Sequence, residues 1–473
     1  MLTLSRVMGY ALSFGRNIVL ARMLTKADFG LSAAFATTVS LLELSGRFGL
    51  PFLVVQSPRG DCPRFLACLQ AVQLLGGTVS ALLLLALCQP MARLFGVPEA
   101  TGSFAALALI PLINSLWHLD YAHSQRKLNF WPVALTEVIP HIVITLAVWP
   151  VTRWLPDHRS IVVLLFAKAL LSLAVTHLWA ERPFRLAWDR ETAREIFRWA
   201  WPLGLSGLVL FASQQANQMV IGGAFSVSQL AGYAIAASLV SVPWFILVNV
   251  ASALVLPVLV RSQSLAGLFE RRLRLFLELS AVIAALLFVP LALCGEDLVR
   301  VLYGKAYVGC GTYMVILAAG VAFRLLGTAA SLAALARADT RNELYGNLAR
   351  CLSLPLALLA VWGGGDPATV AGCVLVGEVA GLVACLIRLR ASITLSVKDM
   401  LLSVGYLCGF MAMAVALLGA GIQQSGMGIQ LMVSAAVCAF ALLTAAMLFP
   451  GLMQALTEFK AGVRRKAVPA AAG

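Results

Sequence analysis

Charged residues are scarce in this chain. Asp, Glu, Lys and Arg make up 12% of its 473 residues, about half the ~25% of a soluble domain. Long hydrophilic stretches are missing too. The longest polar connections, 181–198 and 261–274, are loop-sized, so the sequence offers no extramembrane domain in which a catalytic site could be housed, and an enzyme is not expected. Nor could so little polar chain shield a soluble core. The ten cysteines (62, 68, 88, 294, 310, 351, 373, 385, 408 and 438) form no CxxC pair or His-rich cluster. Most lie inside apolar runs, where cysteine behaves as a small hydrophobe. No metal site, cofactor or disulfide framework is expected.

What is present is apolar. Hydrophobic residues reach 61% and mean hydropathy is +0.91. Runs of about 20 residues recur, each able to cross a ~30 Å hydrocarbon core as a helix. They predict an all-α polytopic membrane protein with fourteen spans at 3–22, 29–50, 65–88, 101–119, 131–151, 160–180, 200–222, 231–259, 275–296, 311–335, 344–364, 367–389, 399–420 and 428–449. Trp131, Trp149, Trp179, Trp199 and Trp201 fall at span ends, as interfacial anchors do.

The net charge of +14 would suit nucleic acid, but its distribution points elsewhere. With Arg350 and Arg388, at adjoining span ends, counted with their loops, the loops after even-numbered spans and the C-terminal tail hold 23 of the 35 Lys and Arg; the opposite loops hold six. Positive residues collect on the cytoplasmic side, so both termini are expected there. The basic excess reads as topology and contact with anionic lipid, not nucleic-acid binding. Arg6 and the apolar run after it resemble a signal peptide, but Arg16 interrupts the run and no convincing cleavage site follows. The segment reads as a retained first span.

Six basic residues fall within spans: Arg6, Arg16, Arg22, Arg47, Lys168 and Arg324. The acids there, apart from Glu296 and Asp399 at the outermost positions of their spans, are Glu43, Glu137, Glu278 and Glu378. Arg6, Arg22, Arg47 and Glu278 lie near span ends and can snorkel. Arg16, Glu43 and Glu137 are about 10 Å inside, and Lys168, Arg324 and Glu378 about 12 Å or deeper, at 1.5 Å per residue. Each has a structural reading. Glu43 and Arg47 are spaced i,i+4 and can neutralise one another, Glu137 and His141 share that spacing around Pro140, and Lys168 or Arg324 can pair with Glu378 or Glu137. Together they point to a functional path, because intramembrane ionisable groups usually face a bundle interior or wet cavity. Spans 1–6 hold five basic residues against two acids, and spans 7–12 hold one against two. A surplus of cations in the first half predicts an anion from outside the chain, and arginine suits phosphate. On an ideal helix Arg16 sits ~80° from Arg6 and ~120° from Arg22, so the three do not all meet one ligand.

"ARMLTKADFG" (21–30) resembles the A-R-x-L-[ST]-x-x-[DE]-[FY]-G signature of the polysaccharide transporter (PST, Wzx-type) flippases. These belong to the multidrug/oligosaccharidyl-lipid/polysaccharide (MOP) exporter superfamily. The resemblance continues through "FGLPFLVVQ" (48–56), "SQRKLNFWPVALTEVI" (124–139), "FRWAWPLGLSG" (197–207), "LAGYAIA" (230–236) and "LVRVLYGKAY" (298–307), and covers about residues 1–390. Arg16 and Arg22 also resemble the arginines of the first span in the sister lipid II flippases, where they are implicated in substrate binding. The resemblance implies an N-lobe of spans 1–6 (1–180), a cytoplasmic linker (181–199), a C-lobe of spans 7–12 (200–390), two further spans (391–450) and a cytoplasmic tail (451–473). It implies a bacterial inner-membrane carrier that moves a polyprenyl-diphosphate-linked oligosaccharide by alternating access, for exopolysaccharide, O-antigen or capsule biosynthesis.

On that reading Arg16, Arg22, Arg47, Lys168 and Arg324 meet the diphosphate. Glu43, Glu137 and Glu378 are candidates for ion coupling, since burial can raise a carboxyl's pKa until it switches. Where many relatives carry an acidic–basic pair, this chain has Gln214, Gln215, Asn217 and Gln218. These are either a neutral lining for sugar hydroxyls or polar glue between helices. Partners expected besides the lipid-linked oligosaccharide are membrane lipids, with polysaccharide polymerase and chain-length proteins as further candidates. The competitors are a lipid II flippase, with the same arginine logic, and a cation-coupled multidrug extruder, whose cargo would favour a net acidic cavity.

Overall fold

A computed structural model describes residues 2–454 except 48, 264, 338, 340, 394, 395 and 450; at 2, 3, 42–47, 203, 206, 266 and 392 only the helical backbone is described. Among the described residues there is no strand. The chain divides into two compact units: one of 1–238, 302–307 and 357–370, the other of 239–301, 308–356 and 371–473.

The first unit contains α1 (Leu2–Met23), α2 (Lys26–Arg47), α3 (Leu50–Gln56), α4 (Pro63–Leu94), α5 (Thr101–Leu107), α6 (Leu109–Ser115), α7 (Asp120–Arg126), α8 (Trp131–Trp154), α9 (Arg159–Leu178), α10 (Arg190–Ala224) and the start of α11 (Val227–Val260). In it, α4 packs against α2, α5, α6 and α10, and α8 lies against α1 and α9. Small residues set the closest crossings. A Cβ on Gly77 of α4 would stand 2.2 Å from Ser115 Cβ of α6, and such approaches substitute in lipid for the missing hydrophobic drive between helices. Phe104 of α5 meets Phe35 of α2 edge-on at 4.8 Å and stacks on Phe95 at 6.1 Å.

Most of α11 belongs to the second unit, followed by α12 (Ala266–Tyr303), α13 (Gly311–Ala336), α14 (Arg341–Arg350), α15 (Ser353–Trp362), α16 (Pro367–Ser392), α17 (Val397–Gly419) and α18 (Met427–Leu448). The last two residues of α12 and the turn after it, with parts of α15 and α16, fall in the first unit. Leu277, Ala281, Ala284, Phe288 and Ala292 of α12 are buried, an i,i+4,i+7 stripe that a helix must cover. Tyr406 of α17 donates from its hydroxyl to Ala441 O of α18 at 2.5 Å.

Among the described residues ten helices are long and apolar enough to cross a membrane, and twelve if two bent pairs (98–115 with 120–126, 190–202 with 207–224) each count as one span. The fourteen predicted segments differ from this by α1 and α2. Each has 22 residues, about 33 Å at 1.5 Å per residue, which is span length. They fall short on composition, since α1 carries Arg6, Arg16 and Arg22 and α2 carries Lys26, Asp28, Glu43 and Arg47. The protein is an all-α, multi-pass membrane protein.

Candidate functional site

The segment 21–30 joins α1 to α2, and nearly every position has a physical task. Ala21 and Leu24 are buried. Arg22 Nε donates to Leu302 O at 2.7 Å, satisfying a carbonyl at the C-terminal end of α12 that the helix itself leaves open. Thr25 Oγ1 accepts the Asp28 N–H at 3.2 Å and donates to Asp28 Oδ2 at 2.5 Å, a Thr-x-x-Asp start for α2. Asp28 Oδ1 accepts the His158 N–H at 3.2 Å. Phe29 meets Tyr307 edge-on at 6.0 Å, and Lys26 Nζ lies 5.9 Å above the same ring. A Cβ on Gly30 would stand 1.8 Å from Val227 O, so only glycine lets α2 approach the start of α11. Segment 21–30 thus forms one packed joint with Val227 at the start of α11 and with Leu302 and Tyr307.

Beside that joint lies a cavity of about 160 Å³, with Arg16, Asn17, Ser32, Ser238 and Tyr303 among its lining residues and Leu20, Phe29 and Ile161 on its apolar side. It is smaller than the ~300–1,000 Å³ of drug-sized sites, so it accommodates a head group, not a whole glycolipid. Arg16 is half-buried and has no ion pair among the described residues. His141 interacts electrostatically with both Arg16 and Lys168. Its Nδ1–H donates to Glu137 O at 2.6 Å. The first unit therefore places two cations near one imidazole that its own helix holds in place.

The remaining predicted site residues separate into different settings. Arg22 is exposed at its carbonyl cap. Glu137 accepts from Ser5 Oγ at 3.3 Å and lies 3.9 Å from Arg6. The side chains of Glu43 and Arg47 lie outside the described residues. Gln214 is exposed, Gln215 half-buried and Asn217 1% exposed. Gln218 Oε1 accepts from Thr37 Oγ1 of α2 at 3.3 Å, so here one of the four polar residues ties two helices together.

Arg324 and Glu378 meet in the second unit. Arg324 donates to Glu378 through both Nε, at 2.9 Å, and Nη2. Arg350 Nε donates to the same carboxylate at 3.1 Å and Arg350 Nη1 to Asn347 Oδ1 at 2.8 Å. Arg324 also stands 5.3 Å over the Trp244 ring. Sequence reasoning placed Arg350 with a loop; it is 5% exposed. Gly377 and Gly381, one turn apart on α16, make its room, since Cβ atoms there would lie 2.7 Å from Arg350 O and 2.6 Å from Arg350 Cγ. The spacing Gly-x-x-x-Gly around Glu378 was the available signal. Asn17, Ser238 and Tyr303 were missed because no charge marks them.

A family model described as "polysaccharide biosynthesis protein" matches residues 19–312. The chain belongs to that family. Among curated relatives, the succinoglycan biosynthesis transport protein ExoT of Rhizobium meliloti is 22% identical over 309 residues, 64% of this chain and 61% of that protein. The matched region thus spans under two thirds of that relative's length. The amylovoran biosynthesis protein AmsL of Erwinia amylovora is 23% identical over 298 residues, 62% of this chain and 76% of that one. In fold, the chain is similar to the lipid II flippase MurJ in an inward closed conformation, with a TM-score of 0.75 at 13% identity, covering 95% of this chain and 99% of MurJ. It is also similar to an inward-facing multidrug resistance MATE transporter of the MOP superfamily, at 0.64 and 15% identity, covering 81% and 95%.

Proposed function

We propose that this chain is a bacterial inner-membrane flippase that carries a polyprenyl-diphosphate-linked oligosaccharide repeat unit to the outer leaflet for surface polysaccharide biosynthesis. The carrying observation is Arg16, a guanidinium on the wall of a head-group-sized cavity with no carboxylate of its own chain, among the described residues, to neutralise it. A planar guanidinium binds phosphate oxygens bidentately, and one kept unpaired inside an apolar bundle favours an anionic ligand over an organic cation. Lys168 supplies a second charge near His141. The prenyl tail stays in lipid and the glycan follows into the wet path. Arg47 joins the head-group set, and Gln214 and Gln215 the glycan path.

Movement follows alternating access between an N-lobe (1–180) and a C-lobe (200–390) joined by 181–199, with both termini cytoplasmic, as in carriers built from repeated bundles. Glu137 and Glu43 are the candidate coupling groups; Glu378, held by two guanidiniums, serves the C-lobe's packing instead, together with Arg324. A lipid II carrier would present the same diphosphate, so Arg16 does not separate the two cargoes; the family match over 19–312 favours the polysaccharide unit. The test is complementation of a strain lacking this carrier. Arg16→Ala inserts normally and exports less than about 1% of wild-type surface polysaccharide, while Arg16→Lys keeps a fraction, because a point charge replaces the fork. Wild-type export by Arg16→Ala overturns the assignment.

A further inference from the structure

A second cavity, of about 330 Å³, lies in the first unit where α4 begins and α9 has ended, with Asp61, Gln70, His118, Asp120, Arg182 and Arg185 on its wall. Three of these side chains are deeply buried: Gln70 at 3%, His118 at 4% and Asp120 at 2% exposure. Two of them hold the 181–185 segment in place. Asp120 Oδ2 accepts the N–H groups of Glu181 at 2.7 Å and Arg182 at 3.3 Å, and Gln70 Oε1 accepts that of Arg185 at 3.4 Å.

The charges then pair unevenly. Asp61 is taken by His123 at 2.8 Å and Arg126 at 3.2 Å. Asp120 faces Arg182 Nε and His123 Nδ1, each at 3.8 Å, and Arg182 Nη2 lies 2.7 Å from His123 Nε2. Arg185 is exposed and has no ion pair among the described residues. His118 Nδ1 accepts the Asp120 N–H at 3.1 Å, so the neutral ring carries its proton on Nε2. That Nε2–H faces the backbone carbonyls of Arg182 and Pro183, whereas Asp120 Oδ1 has no hydrogen-bond partner among the described residues, only the two 3.8 Å contacts. Buried polar atoms are normally satisfied, and an orphan costs about 1–3 kcal/mol.

One cavity thus joins a cation with no ion pair among the described residues to a buried carboxylate oxygen without a hydrogen bond. We propose that it binds the phosphodiester head group of a membrane phospholipid, its phosphate on Arg185 and its hydroxyl or ammonium end toward Asp120. The single charge of a phosphodiester matches the single unpaired guanidinium. The place fits a lipid as well: Pro63, Leu66 and Leu119 give the cavity apolar walls. Trp179 and Trp188, on either side of the segment, are 50% and 61% exposed, as aromatic residues at a membrane interface are. The inference is independent of the transport cargo.

The test uses the full chain in detergent and reads thermal stabilisation by dioctanoyl phosphatidylglycerol, dioctanoyl phosphatidylethanolamine or inorganic phosphate. At least one of the two lipids raises Tm saturably. Arg185→Ala weakens that effect about tenfold, as loss of a charged hydrogen bond does. Arg194→Ala, an exposed arginine outside the cavity, changes it less than about twofold. Equal potency of inorganic phosphate would assign the site to free phosphate and overturn the lipid proposal. Equal loss in Arg194→Ala, or no shift with either lipid, overturns it as well.

Discussion

Arginine occupies three physical situations in this protein, and each predicts a different mutant. Arg22 donates to one carbonyl at an exposed helix end. Arg22→Ala therefore lowers stability by about 1 kcal/mol, the scale of one hydrogen bond partly shared with solvent, read as a modest fall in Tm in detergent. Arg324 and Arg350 share Glu378 in a buried site. Glu378→Gln removes the anion that Arg324 and Arg350 share, leaving Arg350 with Glu343 at 3.8 Å, and costs about 3–5 kcal/mol, which should appear as low folded yield and early unfolding. A variant as stable as wild type would show that the carboxylate is not what holds the two arginines. Among the described residues Arg16 has neither a carbonyl nor a carboxylate as partner, so Arg16→Ala leaves Tm close to wild type while export is lost. The family resemblance set Arg16, Arg22 and Arg324 at one diphosphate and left Arg350 out. The partner distinguishes them, and a partner 28 to 280 positions away in the chain leaves no local mark.

At the scale of elements, the deciding contacts are backbone-close. Gly30→Leu places a side chain where Val227 O already stands and separates α2 from α11; overpacking of this kind costs about 1–3 kcal/mol, here against a carbonyl that a helix holds in place. Gly102→Ala on α5 has nothing within 4 Å of its Cβ and should be neutral or slightly stabilising. Proteolysis of the two variants in detergent checks the contrast, and equal resistance would mean the α2–α11 crossing is not set by Gly30. Hydropathy made most helices legible, because a 20-residue apolar run in lipid has few alternatives to a helix. It reads α1 and α2 less well, since their arginines and carboxylates lower the same score that marks a span. Their identity rests on length and on the joint they make with Val227, Leu302 and Tyr307. The Gly377–Gly381 pair shows the converse, a short local pattern whose purpose appears only with Arg350 lying across it.

For the whole molecule, the charge asymmetry of the loops predicts sidedness. A periplasm-dependent reporter inserted at 155–158 should be active, and one inserted at 186–188 inactive, because the loop from 181 to 199 carries five arginines and positive loops stay cytoplasmic. The reverse pattern would invert the topology and place both termini outside. The composition of the two compact units cuts across helices: α11 and α12 each contribute residues to both.

The sequence by itself determined that this is a polytopic helical membrane protein with a surplus of buried cations in its first half. Composition and periodicity suffice for that, because the bilayer permits few backbone solutions and penalises every unpaired charge. Only the tertiary structure decided which cations are neutralised within the chain and which is not. It placed Glu378 between Arg324 and Arg350, set Arg22 on the end of α12, and left Arg16 on a cavity wall with Asn17, Ser238 and Tyr303. Those outcomes depend on contacts between helices distant in sequence, where a shift of one residue, about 100° around a helix, exchanges a buried partner for lipid.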